Sequence, residues 1–162
     1  MKRSAPRWGH RLLVGLLVIL AYAVWRPARV VLSREAVAPV VVACLPAGWR
    51  VDTRTPASVD VLDAGGSTAV GYRMPAGIQF LLGALGLALA FPDRPRYIAI
   101  LFAGHLTLGA IDLGVVLLGF DASGWWVGQK LVGYVRDGAT LAALAFAVRP
   151  FILSRPQPSE RI

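Results

Sequence analysis

Apolar positions in this chain fall in long blocks, not at the three-to-four-residue spacing of a surface helix or the alternation of a half-buried strand. Two blocks, PAGIQFLLGALGLALAF at 75–91 and YIAILFAGHLTLGAIDLGVVLLGF at 97–120, are separated only by the polar turn PDRPR. Each approaches the ~20 apolar residues that a helix needs to cross a bilayer. So short a turn makes them antiparallel neighbours. Small residues recur in both (Gly77, Gly83, Ala84 and Gly86, then Gly104, Gly109 and Gly114), the composition that lets helix backbones approach in lipid.

Two further blocks flank this pair. LLVGLLVILAYAVW at 12–25 extends to residue 32 if Arg26 and Arg29 snorkel past Pro27. A last block covers 131–151. The expectation is therefore an all-α integral membrane protein of about four transmembrane helices, at 12–32, 75–91, 97–120 and 131–151. The basic leader 1–11 and Ala21-Tyr22-Ala23 also match the shape of a cleavable secretory signal. An uncleaved helix is the preferred reading, and either one puts the next segment across the membrane.

The pattern changes over 33–74, the expected extracytoplasmic segment. SREAVAPVVVACLP, at 33–46, is too short to span and reads as an interfacial or re-entrant helix. Beyond it, Val59, Asp60, Val61 and Asp63 approximate a period of two. Asp63-Ala64-Gly65-Gly66 is turn chemistry and Thr68-Ala69-Val70 can return alongside, which predicts a short β-hairpin between helices one and two. Pro75 is expected in the first turn of the second helix. Residues 92–96 form a cytoplasmic turn and 121–130 an outer loop, where Trp125 and Trp126 suit an interfacial belt. The Pro-rich residues 152–162 read as a disordered tail.

Composition reinforces this layout. Hydrophobic residues make up 56% of 162 positions, and mean hydropathy is +0.61, too apolar for the small interior of a soluble chain this size. The net charge of +8 is spread over ends and loops, with no basic face interleaved with aromatics, so it argues for membrane topology and against nucleic-acid binding. Leader, turn and tail region together hold nine Lys and Arg, which places both termini in the cytoplasm; a bacterial inner membrane is the expected setting. Cys44 stands alone, without a disulfide partner, a CxxC pair or a thiolate zinc set. No cofactor or metal is expected, since His10 lies in the leader and cannot join His105 as a second inward ligand.

Polar residues inside the apolar blocks are the candidate chemistry. Gln79, His105, Asp112 and Arg136 fall within predicted spans, where ionisable groups face other protein or a cavity and mark function by default. Counting back from residue 120 puts Asp112 roughly 12 Å below the outer end of its helix, and Arg136 lies roughly 8 Å into the next. An Asp112–Arg136 ion pair across adjacent helices would offset the cost of burying each. It would act as a structural staple or as part of a binding cleft.

With this arrangement the chain resembles the exosortase/archaeosortase family of membrane transpeptidase-like proteins over about residues 39–148. In that family a Cys-Ser-Gly-Ile-Arg motif follows the hairpin, the next helix carries Asn-x-x-Arg, and a later His completes the site. Here the corresponding segments are Pro75-Ala76-Gly77-Ile78-Gln79 and Gly109-Ala110-Ile111-Asp112, of which Gly77 and Ile78 match. Pro75 supplies no nucleophile, and Asp112 would repel an oxyanion that Arg stabilises. The resemblance implies a non-catalytic relative, binding a partner protein or lipid-linked substrate of an export or envelope-assembly system. The competing expectations are a transport or proton-coupled subunit using His105 and Asp112, and a membrane enzyme of unknown reaction.

Overall fold

The computed structural model describes residues 8–118 and 125–153. The first seven residues of the leader, residues 119–124 and residues 154–162 of the tail lie outside them, as do the side chains of Trp125 and Trp126; the rest of the expected outer loop, 125–130, is helical and not a loop. The chain is mostly helical with one small sheet. Helix α1 (Trp8–Leu32) passes through a π-helical stretch (Ser33–Val37) straight into α2 (Ala38–Ala43). Three strands come next, β1 (Arg50–Asp52), β2 (Ser58–Leu62) and β3 (Thr68–Arg73). Helices α3 (Ile78–Ala90), α4 (Arg96–Leu118) and α5 (Trp125–Leu153) complete the fold.

Three helical stretches are long and apolar enough to cross a membrane: Trp8–Ala43, Arg96–Leu118 and Gly128–Arg149. The expected fourth, 75–91, is reduced to the 13 residues of α3, about 20 Å at 1.5 Å per residue. Pro75 is not in its first turn. Residues 74–77 instead form a link bent at 75–76, in which Ala76 adopts φ 54°, and Gly77 caps the helix in an extended conformation.

The separate interfacial helix expected at 33–46 is also replaced. Its first part continues α1, giving one helix of 36 residues, roughly 54 Å long against a hydrocarbon layer of about 30 Å. Proline does not stop it. Pro39 withholds the N–H that would bond the Glu35 carbonyl, and the backbone absorbs that loss in the π-helical stretch. Ser33, buried there, donates to the Val30 carbonyl at 2.8 Å.

The projecting end of this helix carries the sheet. Instead of a two-stranded hairpin, the strands form an antiparallel meander in the order β1-β2-β3, with Val51 opposite Val61, Val61 opposite Val70 and Val59 opposite Tyr72. The Asp63–Gly66 turn closes with a Gly66 N–H to Asp63 carbonyl bond of 3.0 Å and with Gly66 at φ 83°. Val59, Val61, Val70 and Tyr72 are buried against Ala38 and Val41 of α2 and Val116 of α4. A small sheet is marginal in water; helical supports on one face give it a core.

Below the sheet, α3 is the hub, packed against α1, α4 and α5. It runs antiparallel to α1: Trp25 Nε1 donates to the Ala76 carbonyl at 3.2 Å near its start, and Gly15 faces Leu89 near its end. His10 meets Asp93 at 3.1 Å just beyond, so the 91–95 turn lies beside the start of α1. The small residues of α3 are what permit this density. A Cβ on Gly83 would come within 2.9 Å of Leu101 Cδ2, and one on Gly86 within 3.0 Å of Leu144 Cδ2. Phe91 stacks on Phe146 of α5, with centroids 5.0 Å apart, and closes the bundle at the level of the turn.

Candidate functional site

The link from β3 to α3 forms one wall of a polar cleft where the sheet meets the bundle. Two side chains of α1 hold it from below. Trp25 donates to the Ala76 carbonyl, and the Arg29 guanidinium donates to the Met74 carbonyl. Arg29 also lies against Gly77, where a Cβ would sit 3.2 Å from Nη2. From the other side Pro75 presses on α4: a Cβ at Gly109 would be 2.6 Å from Pro75 Cγ. The link is thus gripped by α1 and α4 together, which is why Ala76 can be fully buried with a positive φ that alanine otherwise avoids.

Two adjoining cavities occupy this boundary. One, of about 350 Å³, is lined by Tyr22, Arg29, Arg73, Gln79 and Arg136 with residues 74–78. The other, of about 240 Å³, is lined by Gly71, Arg73, Asp112, Gln129, Lys130, Gly133 and Arg136. Arg73 and Arg136 border both. The structure therefore gathers three of the four sequence-predicted residues, Gln79, Asp112 and Arg136, around one cleft.

Their chemistry differs from the expected ion pair. Asp112 and Arg136 share a cavity, but among the described residues no nitrogen–oxygen contact within 4.0 Å joins them. The carboxylate instead accepts a long bond from Gln129 Nε2, 3.5 Å, and the same nitrogen donates to the Gly71 carbonyl at 3.1 Å. Arg136 Nε is buried without a hydrogen-bond partner among the described residues, as is Arg29 Nε. Nor do Arg29, Arg73 and Arg136 have a carboxylate within ion-pair distance among those residues. Asp112 also sits higher than its distance from residue 120 implied, because the last turns of α4 cover the sheet. Measured from Arg96 it is sixteen positions up, about 24 Å along the helix and near the far edge of a ~30 Å layer. Its charge is felt in the sheet. Burial, reinforced by Asp112, pushes the Tyr72 hydroxyl up to about 12.

This geometry predicts a small effect for Asp112→Asn. A buried contact pair broken at one partner costs about 3–5 kcal/mol. An asparagine here keeps the shape and an acceptor for Gln129, so the loss of stability in reversible unfolding should stay under ~1 kcal/mol. A loss in the larger range would restore the staple.

His105 is not in the cleft. It is buried at 1% exposure, with Nε2 3.3 Å from Thr140 Oγ1 and its ring edge-on to Phe80 at 5.7 Å. It borders a separate, largely apolar pocket between α3, α4 and α5. Sequence reasoning missed Tyr22, Arg29, Arg73 and Gln129. For two of these a signal existed: Tyr22, Trp25 and Arg29 recur at i, i+3 and i+7, one helical face. Arg73 and Gln129 reach the cleft only through the tertiary fold.

Site and fold together define a predominantly helical protein with three helices able to cross a membrane and a small sheet standing over a cationic cleft. The chain matches no known protein family, no curated protein and no solved structure.

Proposed function

We propose that this is a small non-catalytic multi-pass membrane protein whose outer cleft binds an anionic group carried by a partner protein or a lipid-linked substrate. The observation that carries the reading is the convergence of Arg29, Arg73 and Arg136 on one cleft with no ion-pair partner among the described residues. Arg29 and Arg136, each with a buried Nε lacking a partner among the described residues, are costly to leave uncompensated near lipid, and exposed Arg73 adds its charge at the mouth. Guanidinium groups also match carboxylate and phosphate in a two-pronged geometry. An incoming anion offsets that cost.

The protein resides in a bacterial cytoplasmic membrane with both termini cytoplasmic. Supporting this are the basic leader and turn and the antiparallel path of α3, which returns the chain to the level of His10. The setting in export or envelope assembly rests on the exosortase-like resemblance. The two segments that carry it meet where Pro75 packs on Gly109. With Pro75 in the nucleophile position, the cleft binds and does not cleave. The proton-coupled reading has less support, since His105 and Asp112 border different pockets.

The test is extraction of wild type and of the Arg73→Gln/Arg136→Gln double variant from native membranes, with mass analysis of the material that co-purifies with each. Wild type should retain an anionic component or partner that the folded double variant loses. Identical co-purifying material from both would remove the basis for a binding cleft.

A further inference from the structure

A second cavity changes what the ligand of this cleft must look like. Between α1 and α4, with Phe80 of α3 as its floor, lies a groove of about 520 Å³, within the range of roughly 300–1,000 Å³ typical of small-ligand sites. Its walls are apolar, including Leu17, Ala21 and Trp25 on one side and Ala99 and Phe102 on the other. Helices α1 and α4 each pack on α3 but hold apart from one another, which opens the groove. Trp25 and Phe102 meet edge to face at 5.4 Å across it.

The groove and the cationic cleft are neighbours. Tyr22 lines both, and Gln79 of the cleft directly precedes Phe80 of the groove floor. From Val14 at the groove's lower end to Arg29 in the cleft is fifteen positions of one helix, about 22 Å. An apolar channel on the lipid-exposed part of the bundle thus opens at its head onto three arginines.

Resting on the binding function proposed above, we infer that the ligand is an anionic amphiphile. Its phosphate or carboxylate head lies among Arg29, Arg73 and Arg136, and its hydrocarbon chain runs down the α1–α4 groove. Charge complementarity singles out this occupant. Any acyl chain can fill an apolar groove in lipid, so the head group supplies the selection and the groove supplies the added affinity of a buried chain. A free soluble anion would use the arginines and leave the groove to bulk lipid. A partner's acidic peptide would meet the arginines but has no single hydrocarbon chain to run the length of the groove.

The experiment is equilibrium binding to the full chain in a neutral maltoside detergent, with hexadecyl phosphate, hexadecylphosphocholine and inorganic phosphate as probes. Wild type should bind hexadecyl phosphate at least tenfold more tightly than either of the others. Arg136→Gln should cut that preference to within about threefold, and Arg73→Gln, at an exposed strand end, provides a second head-group variant should Arg136→Gln fail to fold. Ala99→Phe, which fills the groove, should weaken hexadecyl phosphate at least fivefold and leave inorganic phosphate unchanged. If inorganic phosphate binds as tightly as hexadecyl phosphate, or Ala99→Phe has no effect, the amphiphile is wrong while an anion-binding cleft survives. If the phosphate and phosphocholine amphiphiles bind alike and neither arginine variant changes any affinity, the cleft function itself falls.

Discussion

Gly109→Ala should destabilise the protein by about 2–3 kcal/mol, at the upper end of what overpacking costs. The added methyl would meet Pro75 Cγ, Cβ and Cδ at 2.6, 2.7 and 2.9 Å. A proline ring has little freedom to yield, and the carbonyls on either side of it are held by Arg29 and Trp25. The helix-forming advantage of alanine over glycine, at most about 1 kcal/mol, works in the other direction and does not close the gap. Gly104→Ala on the same helix is the control: nothing lies within 4 Å of its added Cβ, so stability should hold or rise. Adding Pro75→Gly to Gly109→Ala removes the clash and should make the pair strongly non-additive. Reversible unfolding of these variants measures all of this, and equal behaviour of Gly104→Ala and Gly109→Ala would mean that α4 does not seat on the link.

Arg29→Met should cost about 1.5–3 kcal/mol, the range for a hydrogen bond to a charged group. Methionine preserves much of the apolar stem but cannot donate to the Met74 carbonyl. The damage should localise. Ala76 is held at φ 54° by its surroundings, and with one of its two α1 anchors gone fewer contacts offset the cost of that angle. Ala76→Gly placed in the Arg29→Met background should therefore recover roughly 1 kcal/mol, because glycine adopts positive φ without the Cβ penalty. Faster amide exchange confined to the link and the first turn of α3 is the accompanying signature. Unchanged stability in Arg29→Met would show that the guanidinium serves only the cleft.

The apolar blocks made the three long helices legible, since runs of that length have few explanations other than lipid. Their ends were less readable. Proline at 27 and 39 looks like punctuation, yet the helix begun by α1 runs through both because a helix supported by neighbours can re-satisfy one missing bond. Period-two alternation revealed Val59 and Val61, whereas β1 contributes only three residues and pairs solely because β2 is already placed. For the site, helix-face spacing could have grouped Tyr22, Trp25 and Arg29. Expecting Asp112 to pair with Arg136 came from charge and depth, but the depth was counted from a helix end that supports the sheet instead of lying in lipid. Which cations share a cavity depends on how β3, α1 and α5 converge, and no local pattern encodes that.

An outward-facing cleft requires the sheet and the 91–95 turn to lie on opposite faces of a bilayer. Cys44, exposed at the end of α2, is the chain's one native thiol, and Asp93→Cys in a Cys44→Ser background moves the thiol to the turn. Labelling with a membrane-impermeant maleimide in intact cells should modify Cys44 at once, and the turn thiol only after the membrane is opened. Modification of both from the same face, without permeabilisation, would contradict this topology and with it the cleft's access to an outer ligand.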